Sequence, residues 1–276
     1  NAYLPAQQAY ISDLAPYERR GRALASIDIA FAVSGMVMMP IVGWLINAYG
    51  WRTPFLGLSF LSLVAALLIW VYLPETKTRT KKEASTSMWS LLRRRNIQAS
   101  MGVAISFFTA VGIFMTFWGI WLSEDFGFDA LDLGLMAQQI GFAELLGAIL
   151  AGLVVDRLGK RRTSLIGAIA SAIMFASIPL AQENLFLIRI FLVITVFWIE
   201  FTIVSYFPLY GEQAPDARAT VFSLIALGNG IGLAIGPVIT TSLWNFFGLG
   251  PIIFVAAVSL TLAAGLTWLF LNDVVE

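Results

Sequence analysis

Apolar stretches close to the 20 or so residues that an α-helix needs to cross a bilayer recur along the entire chain. With 59% hydrophobic and 12% charged residues, the chain differs from soluble proteins, which average about 45–50% apolar and about 25% charged residues. The pattern predicts an all-α, polytopic membrane protein. We expect a partial span at 1–16 and full spans at 23–46, 53–73, 97–122, 133–155, 163–182, 185–209, 219–243 and 249–270.

An internal repeat runs through these spans. Residues 15–19 return as 214–218, an offset of 199 residues (214 − 15), and other Gly, Pro, Asn and acidic residues recur at nearly the same distance. Parallel repeats of a helical bundle are how one large class of membrane transporters is built. The paired residues are Ala15 and Ala214, Pro16 and Pro215, Arg19 and Arg218, Asp13 and Glu212, Gly35 and Gly232, Pro40 and Pro237, and Asn47 and Asn245.

The repeat also predicts the domain organisation. It pairs residues 10–50 with 209–248, so the spans over 97–182 lack earlier counterparts within the chain. We expect an N-terminally truncated twelve-helix protein of two six-helix halves, in which this chain runs from the end of helix 4 to helix 12. The alternative is a complete nine-span protein with coincidental similarities. The expected domains are the rest of the first half at 1–73, a basic linker at 74–96 and the second half at 97–276.

Basic residues are distributed unevenly between the connections. Of the 17 Lys and Arg residues, all except Arg52 and Arg189 fall in alternate connections, whereas the connection 123–132 is acidic. By the positive-inside rule the basic connections face the cytoplasm. We expect an integral, multi-pass protein of a bacterial-type cytoplasmic (inner) membrane with a cytoplasmic central linker. That linker either forms a short amphipathic helix from Trp89 or acts as a flexible tether.

Two residue types are missing from the 276 residues. The sequence has no cysteine, which excludes disulfides, iron–sulfur clusters and thiol nucleophiles. It also has no histidine, which is the commonest metal ligand and the usual near-neutral base. No nucleophile–base pair, metal-ligand cluster or phosphate-binding loop is recognisable. We therefore expect no enzyme activity, no cofactor, no metal site and no nucleic-acid partner.

Three motifs carry a family resemblance. Residues 152–162 resemble the signature G-x-x-x-D-R-x-G-R-K-x, which joins the second and third helices of each half in the major facilitator superfamily. Residues 35–44 resemble the helix 5 motif G-x-x-x-G-P-x-x-G-G of its proton-coupled antiporters, with Met39 and Trp44 replacing two glycines. Residues 10–22 resemble the end of helix 4 in its drug- and metabolite-efflux members. The glutamine-rich helix 7 pattern of sugar porters is absent from 97–122.

The resemblance implies a secondary transporter that works by alternating access. Its implied partners are a small-molecule substrate, protons, the lipid bilayer and the missing N-terminal helices of the same protein. It also implies a gate that locks the cytoplasmic side shut in the outward-open state; the alternative is a basic loop that only sets topology. The gate residues are Gly152, Asp156, Arg157, Gly159, Lys160, Arg161, Glu212, Asp13 and Arg22.

Glycine and proline recur inside the fifth and eleventh of the expected twelve helices. Small residues let helix backbones approach closely, and proline bends a helix by removing a hydrogen bond. Packing and a bend that serves rocking between states are both open interpretations. The residues concerned are Gly35, Pro40, Gly43, Gly232, Gly236 and Pro237.

Three acids lie inside the expected spans, where an ionised carboxylate is costly unless it faces the bundle interior, pairs or takes a proton. Glu144 and Glu200 lie near mid-span, and Asp28 lies six residues past Arg22. Glu144 shares a helix face with small residues, which predicts a protein-facing position. We expect these acids to couple transport to protons or to a cationic substrate. The alternatives are a static hydrogen bond or an ion pair, for instance with Arg189, and a place for Asp28 in the cytoplasmic charge network.

A substrate cavity would place aromatic and amide groups around those acids. The candidates are Trp198, Gln138, Gln139, Asn229, Tyr206 and Trp118. We therefore expect proton-coupled export of a small amphipathic or cationic organic compound. A uniporter or importer of a metabolite on the same fold is one alternative, and a non-transporting membrane sensor or scaffold is another.

The gate hypothesis predicts that Asp156→Asn shifts the conformational equilibrium toward the inward-facing state, because the substitution removes a charge that the closed cytoplasmic side would need. Accessibility of cavity-facing thiol labels from each side of the membrane measures this shift. Unchanged labelling from both sides would show that the basic loop is merely topogenic.

Overall fold

The computed structural model describes residues 20–72 and 88–272, with side chains described over 34–72 and 90–272 apart from Asp216 and Ala219. Every regular element in these residues is helical. The helices are α1 (Arg20–Tyr49), α2 (Thr53–Tyr72), α3 (Met88–Leu92), α4 (Arg95–Phe126), α5 (Ala130–Leu158), α6 (Lys160–Ser177), α7 (Leu185–Glu212), α8 (Arg218–Phe247) and α9 (Leu249–Phe270), with 3₁₀ turns at Ile178–Ala181 and Pro215–Ala217.

Seven helices in the described ranges, α2 and α4 to α9, are long and apolar enough to cross a membrane. In α1, whose side chains are described from Ser34 onward, the segment Ser34–Tyr49 is also apolar. The predicted all-α, polytopic membrane fold is confirmed. Helix α4 extends beyond the expected span 97–122 at both ends. Arg95 and Asn96 precede the apolar run, and mainly polar residues continue the helix after it as far as Phe126.

Glycine and asparagine set several helix ends. Gly127 ends α4 in the left-handed region, at φ 66°, and Gly159 separates α5 from α6 at φ 89°. Both conformations disfavour residues with a Cβ atom. Helix α7 begins after Asn184, whose side-chain oxygen accepts hydrogen bonds from the N–H groups of Phe186 and Leu187. Such N-terminal caps satisfy donors that have no partner inside the helix.

The chain divides into two compact units. Among the described residues, the smaller unit comprises 20–72 and 129–141, and the larger unit comprises 88–128 and 142–272. Helix α5 therefore contributes its first residues to the smaller unit and the rest of its length to the larger one. The division into halves at the 74–96 linker remains a prediction.

In the larger unit α4 packs against α8 and α9, and α6 packs against α7 and α9. An aromatic cluster fills the space between α4 and α6. The ring of Phe175 lies 5.9 Å from that of Phe114 and 6.3 Å from that of Phe117, between ring centroids. All three side chains are buried. Tilted and edge-on arrangements of this kind are the favoured geometry of aromatic pairs.

The contact between α4 and α8 brings their backbones together. A Cβ atom on Gly236 would lie 2.6 Å from both the nitrogen of Ile113 and the oxygen of Thr109. A Cβ atom on Gly232 would lie 2.5 Å from the oxygen of Ile105. Real Cβ atoms do not approach other atoms so closely, so α8 reaches α4 only because glycine stands at these positions.

In the smaller unit α1 packs against α2 and against the first residues of α5. A Cβ atom on Gly43 would lie 2.4 Å from the oxygen of Ala130, and one on Gly134 would lie 2.6 Å from the oxygen of Met39. Helix α2 buries only Pro54 among its residues. Its exposed apolar side chains form a surface that suits contact with lipid or with another apolar helix.

The α4–α8 contact generates a stability prediction. We expect Gly236→Ala to destabilise the larger unit by about 1–3 kcal/mol, the usual cost of forcing extra atoms into a packed core. Thermal unfolding of the detergent-solubilised protein measures the effect. Gly230→Ala on the same helix is the matched control, because a Cβ atom there meets nothing within 4 Å. Equal unfolding temperatures for the two variants would contradict this account.

Candidate functional site

Helices α5 and α7 cross with their backbones in contact. A Cβ atom on Gly147 would lie 2.4 Å from the oxygen of Phe197 and 3.1 Å from the nitrogen of Phe201. Glu144 lies one turn before Gly147 on α5, and Glu200 lies one turn after Phe197 on α7. The crossing therefore places two acids together, each near the middle of a membrane-length helix.

The carboxyl groups of Glu144 and Glu200 are half-buried, and each lies within electrostatic reach of the other. Like charges repel more strongly in a low-dielectric interior than in water. Neither group makes a hydrogen bond or an ion pair with any residue that the structure describes. One positive charge, carried by a proton or by a bound molecule, would therefore stabilise the pair.

Arg189, the expected alternative partner, is engaged elsewhere. Its guanidinium carbon lies 5.1 Å from the centroid of the Phe128 ring, in a cation–π arrangement. Its Nε atom is buried and has no hydrogen-bond partner in the described part of the chain. Arg189 precedes Glu200 by eleven residues on α7, which is about 16 Å along the helix axis. The structure thus shows no ion pair between Arg189 and either acid over the described residues.

Trp198 lies on a different face of α7 from Glu200. Two residues of separation turn a helix by about 200°. The Trp198 ring packs edge-on against Phe197 and Phe201, with centroids 5.3 Å apart in both pairs. Thr202, one turn after Trp198, meets Ser171 of α6 with 3.4 Å between their hydroxyl oxygens. Trp198 therefore belongs to the side of α7 that carries Thr202.

The other cavity candidates are scattered over several helices. Tyr206 is buried, its hydroxyl group lies 2.9 Å from that of Thr267 on α9, and its ring stacks on Tyr210. Asn229 has a buried Oδ1 atom without a partner among the described residues. None of the described contacts joins these residues to Glu144 or Glu200. Of the remaining candidates, Trp118 is half-buried and Gln139 is exposed. The Gln138 side chain donates a hydrogen bond to the Met36 oxygen at 3.0 Å.

The gate residues of the larger unit gather at one end of α6 and α7. Lys160 forms an ion pair with Glu212, and Arg161 donates a hydrogen bond to the carbonyl oxygen of Trp268 in α9. Gly159 provides the turn before Lys160. Three further predicted gate residues, Gly152, Asp156 and Arg157, are exposed. Asp13 lies outside the described residues, and so do the side chains of Arg22 and of the predicted coupling acid Asp28.

A family model described as Major Facilitator Superfamily matches residues 1–136 and 100–276, which together cover the chain. The chain belongs to the Major Facilitator Superfamily. Members of this superfamily are membrane transporters and not enzymes. The chain is therefore an integral, multi-pass membrane protein of a transporter family, as the sequence predicted.

Relatives within the superfamily are about one quarter identical to this chain over the aligned residues. The sialic acid transporter NanX of Escherichia coli is 25% identical over 259 residues, which cover 88% of this chain and 62% of NanX. The chromaffin granule amine transporter of Rattus norvegicus is 28% identical over 167 residues, which cover 60% of this chain and 32% of that transporter. The chain thus spans less than two thirds of the length of these relatives.

A solved structure supports the superfamily fold independently. The crystal structure of a D-xylose–proton symporter matches this chain with a TM-score of 0.69 at 18% sequence identity. The match covers 96% of this chain and 67% of the symporter. At this level of identity the likeness concerns the fold alone.

The glycines of the two glycine–proline motifs, residues 35–43 and 232–237, differ in how they pack against neighbouring helices. Gly43 fits against the backbone of α5, whereas a Cβ atom on Gly35 would meet nothing within 4 Å. Gly232 and Gly236 both touch α4. Pro40 lies inside α1, and Pro237 lies inside α8.

Polar contacts near the ends of the helices were not anticipated from the sequence. The Asn96 side chain donates to the backbone oxygen of Gln213 at 2.7 Å, and the Gln213 side chain donates to the backbone oxygen of Asn272 at 3.1 Å. These bonds tie the start of α4 and the residues after α9 to the end of α7. No local sequence signal pairs residues that lie 117 and 59 positions apart.

The contacts of Tyr206 predict a structural role. We expect Tyr206→Phe to destabilise the protein by about 0.5–1.5 kcal/mol, the net worth of one hydrogen bond, and to leave substrate affinity unchanged. Thermal unfolding and the substrate concentration at half-maximal transport measure the two effects. Phe207→Leu, at an exposed neighbouring position, is the control. A changed affinity at unchanged stability would instead place Tyr206 in the substrate cavity.

Proposed function

We propose that the protein is a proton-coupled secondary active transporter that exports a small, amphipathic organic cation by alternating access. The observation that supports this most directly is the pair Glu144 and Glu200, half-buried at the α5–α7 crossing. Ionisable groups inside membrane spans are costly and commonly mark ion or substrate pathways. Two such groups without partners in the described residues form a site that needs a positive charge.

Protons and substrate compete for this negative charge in the proposed cycle. With both carboxyl groups ionised, the pair attracts an organic cation from the cytoplasmic side. A proton that binds from outside removes negative charge, so the cation is released outward. The proton then leaves toward the cytoplasm and restores the pair. Carboxyl groups suit this exchange because the 276 residues contain no histidine.

The carboxyl pair also supports a positively charged substrate over an anion. The names of the two relatives point in opposite directions, since an amine is basic and sialic acid is acidic. An anion at the α5–α7 crossing would meet repulsion from Glu144 and Glu200. The basic residue Arg189 on α7 is stacked against Phe128. Export rather than import is supported by the resemblance of residues 35–44 to the antiporter motif.

The orientation in the membrane is part of the same proposal. The alternate connections rich in Lys and Arg would face the cytoplasm, as the positive-inside rule expects, in a bacterial-type inner membrane. Alternating access in this superfamily takes place between two halves. The proposed activity is therefore that of the complete gene product and not of this chain by itself.

We expect the double variant Glu144→Gln with Glu200→Gln to lose transport driven by a pH gradient. The complete gene product is reconstituted into liposomes with an acidic lumen, and uptake of radiolabelled 1-methyl-4-phenylpyridinium is measured. The charge of this aromatic cation does not depend on pH, so passive trapping of a weak base cannot mimic transport. Uptake should fall to the level of protein-free liposomes, because no carboxylate remains at the α5–α7 crossing to bind either the proton or the cation.

The matched control is Glu183→Gln, which neutralises an exposed acid just before α7 and should leave uptake intact. Full uptake by the double variant would refute coupling through these acids. Uptake by the unmodified protein that persists after the pH gradient is collapsed would indicate a uniporter. Absence of movement for both the cation and sialic acid would favour a sensor or scaffold.

A further inference from the structure

Pro40 leaves one backbone acceptor of α1 without its helical partner. Proline has no N–H group, so the carbonyl oxygen four residues earlier, on Met36, loses its usual hydrogen bond. The Nε2 atom of Gln138 on α5 donates to this Met36 oxygen at 3.0 Å. Carbonyl groups freed by proline inside a membrane have to be satisfied by a neighbouring helix, a side chain or water. Here the partner is a side chain from another helix.

The Gln138–Met36 hydrogen bond depends on the position of Gln138, because proline inside a helix does not by itself bring a side chain from another helix to the free carbonyl group. Prolines 40, 208 and 237 lie inside described helices and free the carbonyl groups of Met36, Val204 and Leu233. Within the described residues, only the Met36 oxygen among these three accepts a hydrogen bond from a side chain of another helix.

Glycine brings Gln138 within reach of α1. A Cβ atom on Gly141, one turn after Gln138, would lie 3.1 Å from the Met36 side chain. Gly134, one turn before Gln138, touches the backbone of Met39. We call this contact the α1–α5 seam, formed by Met36, Met39, Gly43 and Asn47 of α1 against Asp129, Ala130, Gly134, Gln138 and Gly141.

A second polar bond closes one end of the seam. The Asn47 side chain donates to the carboxylate of Asp129 at 2.7 Å. Hydrogen bonds from the Asp132 backbone and from Asn47 lower the pKa of Asp129 from its ordinary value of 3.8. Asp129 therefore remains ionised throughout the neutral range, and this bond does not respond to physiological changes in pH. The two bonds tie the seam at points that lie eleven residues apart on α1.

We propose that Gln138 is a positioning residue that holds the α1–α5 seam closed by occupying the acceptor that Pro40 leaves free. The inference rests on the proposed function, because alternating access requires α1, in the first predicted half, to separate from α5, in the second. Opening the seam exposes the Met36 oxygen, which then needs water in place of Gln138. The proline that bends α1 thus also supplies the acceptor that favours the closed seam.

The test is a double-mutant cycle on the closed-to-open equilibrium of the seam. Gln138→Leu removes the donor, and Pro40→Ala returns an N–H group to the Met36 oxygen. Spin labels on cysteines introduced at Tyr49 and Leu135, both exposed, report the separation of α1 and α5 in the complete gene product in lipid nanodiscs. The 276 residues contain no cysteine that would take up a competing label.

We expect Gln138→Leu to raise the widely separated population about fivefold, the equivalent of one net hydrogen bond. In the Pro40→Ala background the same substitution should change the distance distribution little, because the Met36 oxygen has its helical partner again. Equal effects of Gln138→Leu in both backgrounds would overturn the proposal, since Gln138 would then act independently of the free carbonyl group.

A second pair of variants decides the question if Pro40→Ala does not fold. Gln138→Glu keeps the length of the side chain but, when ionised, offers no donor to the Met36 oxygen, so it should open the seam at least as much as Gln138→Leu. Gln139→Leu, at the exposed neighbouring position, should leave the distances unchanged. A closed seam in both Gln138 variants would refute the proposal.

The distance measurement separates this inference from the proposed function. It needs no transported compound, whereas the proposed function is tested by uptake of 1-methyl-4-phenylpyridinium. If the protein takes up the cation but Gln138 and Pro40 show no energetic coupling, the inference about Gln138 is wrong and the proposed transport function stands. If Gln138 and Pro40 are energetically coupled in a protein that moves no cation, the Gln138–Met36 bond still determines the α1–α5 distance. Its role in a transport cycle would then be wrong.

Discussion

Close approach of helix backbones, permitted by glycine, is the constraint on which the rest of this structure depends. Lipid tails are as apolar as leucine, so burial of apolar side chains gives membrane helices little drive to associate, and packing has to supply it. Gly147 against Phe197, Gly236 against Ile113 and Gly43 against Ala130 each leave no room for a Cβ atom. These contacts fix which helices are neighbours and therefore which polar side chains meet.

The carboxyl pair follows from one of these contacts. Glu144 and Glu200 come together because Gly147 lets α5 lie directly against α7. Two acids at a helix crossing weaken the packing that brings them together when both are ionised, since like charges repel. Proteins retain such local conflicts mainly where function requires them. The repulsion between two ionised carboxyl groups, which either a proton or a cation relieves, is the physical basis for the proposed exchange of one for the other.

The helices and the two mid-span acids Glu144 and Glu200 could be identified from the sequence because their signals are local, whereas the contacts between helices could not. The length of each apolar run located α2 and α4 to α9 to within a few residues. The opposite faces of Trp198 and Glu200 also follow from two residues of helical spacing. The hydrogen bond of Tyr206 to Thr267 joins positions 61 residues apart, so it depends on helix pairing that no single sequence window contains.

Helix α5 carries both Glu144, on which the proposed cycle depends, and Gln138 of the α1–α5 seam. Gln138 and Glu144 are six residues apart, about 9 Å along the helix axis. Gln138 donates to the Met36 oxygen in the smaller unit, and Glu144 lies within electrostatic reach of Glu200 in the larger one. A proton or a cation that binds at Glu144 therefore binds on the same helix that the Gln138 bond holds against α1.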